Sequence, residues 1–254
     1  MEKLTVQELL EAGVHFGHLK SKWDPNMAPY VFMERNGIHI LDLNKSLRKL
    51  EEAAFAIKNI ARSGRKILFV ATKKQAKEFV MESAQRVNMP FVTDRWLGGM
   101  LTNFSTVRKS IKKMSNIEKM STDGTFENIA KRERLQLTRE RDKLERVLGG
   151  INDLTRLPAA LFIVDIKREH IAVSEAIKLN LTSFGMVDTN SNPNLVDFAI
   201  PANDDASKSI ALITRYMTDA IAEGLEERKK TKQARQEGAD SEQKEEAVAE
   251  EQND

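Results

Sequence analysis

Residues 67–87 read Ile-Leu-Phe-Val-Ala-Thr-Lys-Lys-Gln-Ala-Lys-Glu-Phe-Val-Met-Glu-Ser-Ala-Gln-Arg-Val. The first five form an unbroken apolar run, without the alternation of a strand that has one wet face. From Lys73 to Val87 the period changes, and Ala76, Phe79, Val80, Ala84 and Val87 recur at helical spacing. A fully buried strand feeding an amphipathic helix is the repeating unit of a parallel sheet covered on both faces. The pattern continues outward. Phe91-Val-Thr93 is a second short strand, and Ala160-Leu-Phe-Ile-Val-Asp165, preceded by Pro158, is a third. A helix is expected from about Arg168 to Leu179, then strands at Phe184–Val187 and about Phe198–Ile200, then a long helix from about Ala206. Right-handed crossovers turn this order into a doubly wound α/β fold. Upstream, Asn44 is placed to cap a helix running to Ser63, with Gly64 as its stop. The stripe Leu47, Leu50, Ala54, Ile57 and Ala61 would lie on the sheet.

Residues 104–149 interrupt the alternation. Phe104, Val107, Ile111 and Met114 follow three-four spacing, and Ser121-Thr-Asp-Gly-Thr125 is a turn signal. Beyond it Ala130, Leu137, Leu144 and Ile151 recur every seven residues, with Arg134 and Arg141 where the second seam position belongs. An inserted antiparallel helical hairpin, a coiled-coil arm with an incomplete seam, is expected. The segment carries 12 basic and 7 acidic residues. The expected division is a discontinuous sheet domain (1–103 and 150–228), the arm (104–149) and a charged tail (229–254). From Glu237 the tail has eight acidic residues and one basic, without large apolar residues other than Val248, so disorder is expected there.

Composition narrows the function. The 254 residues, 41% apolar, suffice for one large domain with an appendage. No apolar run approaches the roughly 20 residues that span a bilayer, so no membrane association is expected. Met1-Glu-Lys-Leu-Thr-Val6 lacks the pattern of a signal peptide. The absence of cysteine rules out disulfides, thiolate zinc sites and thiol catalysis, and fits the cytoplasm. Net charge is +2, but without the segment from Glu237 onward it is +9 (39 basic against 30 acidic residues). A basic body steers polyanions, RNA foremost in the cytosol.

A doubly wound sheet raises the alternative of a nucleotide enzyme, whose ligand would sit at the carboxyl ends of the strands. Asp165 ends one strand and Asp188 follows another, while Asp204 and Asp205 open the last helix and read as its cap and dipole partners. No G-x-G-x-x-G follows the first core strand, and no G-x-x-x-x-G-K-[ST] occurs. The chain is therefore read as not an enzyme, with no cofactor and no small-molecule substrate. Gly98-Gly99 fits an anion-cradling loop or, better, a plain turn. His15 and His18 are a weak ligand pair without a neighbouring carboxylate or cysteine, so no metal is expected. Trp23, Tyr30 and Phe32 lie among Lys20, Lys22 and Arg35, an arrangement that suits either base stacking or a small satellite core. The pairs Lys73-Lys74 and Lys112-Lys113 suit phosphates modestly better than on their own, given the basic body.

Several of these segments resemble the small-subunit ribosomal protein family numbered two of bacteria. The carriers are Leu9-Leu-Glu-Ala-Gly-Val-His-Phe-Gly-His18, Trp23-Asp-Pro-Asn-Met27 and Arg95-Trp-Leu-Gly-Gly-Met-Leu-Thr-Asn-Phe104, with Pro158–Asp165, Val187-Asp-Thr-Asn190 and Pro201-Ala-Asn-Asp-Asp205 following in family order. The resemblance covers residues 1 to about 228. It implies a flavodoxin-like sheet with a protruding helical hairpin, docking on small-subunit ribosomal RNA, no catalysis, and help in holding neighbouring proteins, including the large messenger-binding first protein. Asn26 stands where the family commonly has lysine, Asn192 where it has aspartate, and Ala202 where it has glycine. Charge, motif position and placement on the arm select the expected RNA contacts. They are Lys20, Lys22, Trp23 and Asn26 near the amino terminus and Arg95 and Asn103 in the glycine loop. Arg108, Lys112, Lys113, Lys131, Arg132 and Arg134 complete them on the arm.

Overall fold

A computed structural model describes residues 4–124, 126 and 130–251, with side chains through residue 233. Thr125, at the end of the turn signal, lies outside the described residues. Helix α1 (Val6–Glu11) opens with a capping box between Thr5 and Glu8. Three short strands follow, β1 (Phe16–Leu19), β2 (Val31–Arg35) and β3 (Ile38–Leu41), in an antiparallel sheet of order β1-β3-β2. The sequence reading has no such sheet. Its strands are short and largely exposed, so they lack the apolar signature that marks the core strands.

Helix α2 (Leu43–Arg62) is capped by Asp42, not Asn44: the Asp42 carboxylate accepts from the backbone N–H groups of Asn44 and Lys45. The backbone of Asp42 is already pinned, its N–H donating to the Tyr30 carbonyl at 2.9 Å, so the helix starts as soon as β3 ends. Strand β4 (Ile67–Val70), helix α3 (Lys74–Arg86) and strand β5 (Phe91–Val92) come next. Then follow α4 (Phe104–Thr122), α5 (Lys131–Leu148), β6 (Ala160–Val164), α6 (His170–Lys178), β7 (Thr182–Val187), β8 (Phe198–Pro201) and α7 (Ser207–Glu251).

Strands β4 to β8 form one parallel sheet of order β5-β4-β6-β7-β8. Alternate residues face opposite sides. Phe69, Phe162 and Phe184 point to one side, under Leu50, Ile57, Val80, Ile213 and Met217 of α2, α3 and α7. Leu68, Val70, Leu161 and Ile163 point to the other, against Trp96, Met100 and the α6 residues Ala172 and Val173. Both faces are dry, which is why the strands carry no polar alternation. Phe79, counted in the apolar stripe of α3, is instead 39% exposed.

Helices α4 and α5 pack on each other, with Lys113 paired to Glu140. Their bases belong to the core: Ile111 and Leu148 join the cluster of Trp96 and Met100. Farther out Met114 and Ile117 are buried on α4, whereas Leu137 is half-buried and Arg134 exposed on α5. At the far end, α7 continues to Glu251 where the sequence reading expects disorder from Glu237. Residues rich in helix propensity there extend a helix already nucleated by packing.

Candidate nucleic-acid interface and the closed end of the sheet

The carboxyl ends of β4, β6, β7 and β8 deliver Lys73, Asp165, Asp188 and Asp204 to one place, the position where a doubly wound sheet takes a ligand. Lys73 Nζ lies 3.2 Å from Asp165, 2.7 Å from Asp204 and 2.6 Å from Asp205. Lys73 is buried and so engaged, which removes it from the phosphate-binding candidates; Lys74 beside it is exposed. Burial alone would lower the Lys73 ammonium, but Asp204, Asp205 and Asp165 outweigh it and raise its pKa. Burial, with Asp165 and Asp188 alongside, pushes the Asp204 carboxyl up to about 7. Asp204 and Asp205 are thus not the cap of α7. Their carboxylates face Lys73 and His18, and the turn just before α7 is held by Asn203, whose side-chain oxygen accepts from the N–H groups of Asp205 and Ala206. Asp165 holds a left-handed backbone, φ 64°, and its carboxylate accepts from the Arg168 N–H at 2.9 Å.

The amino-terminal segment covers this end. The His18 N–H donates to Thr189 Oγ1 at 2.7 Å, and the Asp24 N–H to the Thr189 carbonyl at 2.8 Å. The Asn203 side-chain amide donates to the Gly13 carbonyl at 3.1 Å. Strand β1 lies so close that a Cβ on Gly17 would meet Thr189 Cγ2 at 2.5 Å. The ring of His18 sits 3.1 Å from Asp188 and 3.3 Å from Asp205. Sequence spacing hides these carboxylates, which lie 170 and 187 residues away along the chain.

The Gly98-Gly99 loop resolves both of its readings. It is a turn, with Gly99 at φ 86°, and it does cradle an anion. That anion belongs to the protein. Glu175 of α6, only 6% exposed, accepts from the backbone N–H groups of Gly99 (2.8 Å), Leu101 (2.9 Å) and Thr102 (2.9 Å). It also accepts from the Trp96 indole at 3.1 Å and the Thr102 hydroxyl at 3.1 Å. Burial alone would raise the Glu175 carboxyl, but these donors outweigh it and hold its pKa below the ordinary glutamate value.

The residues selected from sequence as RNA contacts fall into two groups. Several are engaged within the chain. Lys20 pairs with Glu34 at 2.8 Å, and Asn26 binds the Asp24 carboxylate through backbone and side chain at 2.9 Å. Arg108 donates to the Leu154 carbonyl at 3.0 Å, Lys113 pairs with Glu140, and Asn103 accepts from the Thr106 hydroxyl at 2.8 Å. Trp23 is half-buried, its ring 4.8 Å from that of His39. Tyr30 packs on the core while Phe32 is exposed, so that aromatic group divides between packing and surface. Lys22, Arg95, Lys112, Lys131, Arg132 and Arg134 are exposed, and among the described residues their side chains have no ion-pair partner.

Comparison with known proteins bears on this arrangement. A family profile described as ribosomal protein S2 matches residues 9–224. The chain belongs to the ribosomal protein S2 family. It is 65% identical over 226 residues to a small ribosomal subunit protein uS2 of Flavobacterium johnsoniae, covering 89% of both chains. The protein of the same name from Parabacteroides distasonis is 62% identical over 232 residues, 91% of this chain and 84% of that one. That of Cytophaga hutchinsonii is 62% identical, covering 91% of both. The S2 family is structural, not enzymatic, and belongs to the cytoplasmic ribosome of bacteria. The segments quoted from sequence, Leu9–His18, Trp23–Met27, Arg95–Phe104, Pro158–Asp165, Val187–Asn190 and Pro201–Asp205, each contribute residues that close the sheet's carboxyl end or wrap Glu175. Among the described residues no helix is long and apolar enough to cross a membrane.

Proposed function

We propose that this chain is a structural constituent of the small ribosomal subunit that docks on ribosomal RNA as a pre-folded body. The observation that carries the reading is the contrast between the two ends of its polar inventory. The position where a doubly wound fold would take a ligand is filled by the chain's own Lys73, His18 and aspartates. The exposed cations of the sequence-selected set without internal partners among the described residues, Lys22, Arg95, Lys112, Lys131, Arg132 and Arg134, face solvent instead. Cations free of internal pairing release counterions when they meet phosphates, and shape then selects the RNA site. Lys20, Asn26, Asn103, Arg108 and Lys113 would first have to give up a partner, so they contribute less. Trp23 supports the loop rather than stacking on a base.

In this reading the strand order β5-β4-β6-β7-β8 is the flavodoxin-like order, with the first strand of the sheet second in line. Residues 1–103 and 150–228 are the sheet domain, 104–149 a helical hairpin arm that widens the RNA footprint, and 229–254 a charged extension. Neighbouring small-subunit proteins, the large messenger-binding first protein among them, are held on the surfaces left outside the RNA contact. The test is sedimentation of the tagged chain from a high-magnesium lysate. Co-migration with small subunits is the expected result. A free protein at the top of the gradient would overturn the proposal.

A further inference from the structure

We propose that a cleft at the amino-terminal end of the parallel sheet, opposite the closed end, binds a nucleotide of single-stranded RNA, its phosphates on a cationic rim and its base on an apolar floor. Three pieces of chain meet there: the turn from α2 to β4 (63–66), the turn from α3 to β5 (87–90) and the part of α7 from Ala222 to Lys232. They enclose about 570 Å³. Lys66, Arg228, Lys229 and Lys232 line the opening; all are exposed, and among the described residues none has an ion-pair partner. Arg86 lines it too but is engaged by Asp219 at 2.6 Å, and Glu226 is the one acidic residue in the described lining.

Basic residues are expected where α2 and α3 end, because they complement the negative helix termini. Arg62 and Arg86, in the last turns of those helices, fill that part. The four unpaired cations lie outside those turns, and two of them are positioned by neighbouring backbone. Lys66 Nζ donates to the Asn88 carbonyl at 2.5 Å, which ties the two turns together. The Arg228 guanidinium lies over Gly64, where an added Cβ would fall 2.0 Å from its central carbon, so only glycine leaves it room. Arg228, Lys229 and Lys232 span about 6 Å of helix axis, which spreads charge along a strand of phosphates. Val87, Met89 and Leu225 form the floor, an apolar surface that a base can cover. Asn88 sits in the left-handed region at φ 51°, and its side-chain amide makes no hydrogen bond among the described residues. Donor and acceptor are both left for a base edge. An acidic peptide would satisfy the rim and leave floor and amide unused, and duplex RNA would keep its bases stacked out of reach. The inference rests on the RNA-docking reading only for the source of the nucleotide.

The experiment uses the full chain with Lys131, Arg132 and Arg134 replaced by alanine, so that the arm contributes little. A fluorescein-labelled RNA hexanucleotide is followed by anisotropy across salt, and saturable binding is expected. Adding Lys229→Ala with Lys232→Ala, both exposed, should lower the slope of log K against log salt by about 1.4, two single-strand contacts at about 0.7 each. Asn88→Gly keeps the left-handed turn and removes the amide. It should weaken the hexanucleotide at least about threefold and leave inorganic tripolyphosphate unchanged. Tripolyphosphate that competes as well as the hexanucleotide, or wild-type behaviour of either variant, would overturn the site. Tighter binding of adenosine triphosphate than of the hexanucleotide would overturn RNA as the source of the nucleotide. Binding is read on the free chain, so failure here leaves co-migration with small subunits, the test of the docking reading, standing.

Discussion

At the residue scale, Glu175 shows how one buried carboxylate can replace an external ligand. Five donors from the Trp96–Thr102 loop converge on it, so the loop is set by an internal anion and not by a phosphate. Glu175→Gln would turn an amide toward those N–H groups and strand several of them. The expected cost is about 2–3 kcal/mol, or a Tm lower by roughly 5–10 °C at neutral pH. The pH dependence follows from the direction of the shift. The folded carboxyl lies below its ordinary value of 4.5, so its contribution is complete above that value and fades as pH falls through the folded pKa. Thermal melts of wild type and variant should therefore converge in acid. A gap independent of pH would mean that shape, not charge, holds the loop. Gly17 gives a second residue-scale expectation. An added methyl would meet two atoms of the Thr189 side chain, at 2.5 and 2.7 Å, and the His39 carbonyl at 3.0 Å. Gly17→Ala should destabilise by about 1–3 kcal/mol in denaturant titration, whereas Gly37→Ala has open space and would be penalised only by its backbone φ of 74°.

At the scale of elements, α4 and α5 are rooted more firmly than an inserted arm needs to be. Arg108 holds the Leu154 carbonyl, Arg146 lies 3.3 Å from Asp94, and Ile111 and Leu148 complete the cluster around Trp96. Two truncations should therefore behave differently. Replacing residues 113–143 with a short Gly/Ser linker keeps the roots and should leave a cooperatively unfolding domain within a few degrees of the wild-type Tm. Replacing 105–147 removes Val107, Ile111 and Leu144 from the core, and losses of about 2–5 kcal/mol per large side chain should unfold it or nearly so. Circular dichroism on heating separates the two outcomes. The core strands were legible because their burial on both faces leaves continuous runs such as Ile67–Val70 and Ala160–Val164. Strands β1 to β3 were not, because they are short, Leu19, Phe32 and Met33 are exposed, and the one dry face, in β3, is made of His39 and Leu41 alone. Asn44 was mistaken for the cap of α2 because nothing local reveals that Tyr30 pins Asp42. The roles of Asp204 and Asp205 were hidden for the same reason: their partners, Lys73 and His18, are more than 130 residues away.

For the whole molecule, the exposed cations and the enclosed carboxylates lie in different compartments, which makes the docking proposal quantitative. Each phosphate contact adds about 0.7–0.9 to the slope of log K against log salt. Replacing Lys131, Arg132 and Arg134 together by alanine should lower that slope by about 2 on a small-subunit RNA fragment, measured by filter binding across salt. Lys113→Ala, whose ammonium is already taken by Glu140, should change it little. Equal effects would mean that internal pairing does not decide which cations reach RNA. The closure of the sheet also sets a schedule. The amide of His18 finds its acceptor 171 residues later, and the amide of Asn203 reaches back 190 residues to Gly13. At about 5–20 residues per second of synthesis, the amino-terminal strands wait roughly 10–40 s before their seat exists. During that interval Val14, Met27 and Leu41, all buried in the finished fold, have no core to pack against. The nascent chain is thus most vulnerable at its oldest end, and a chaperone would be needed there and not at the emerging strands.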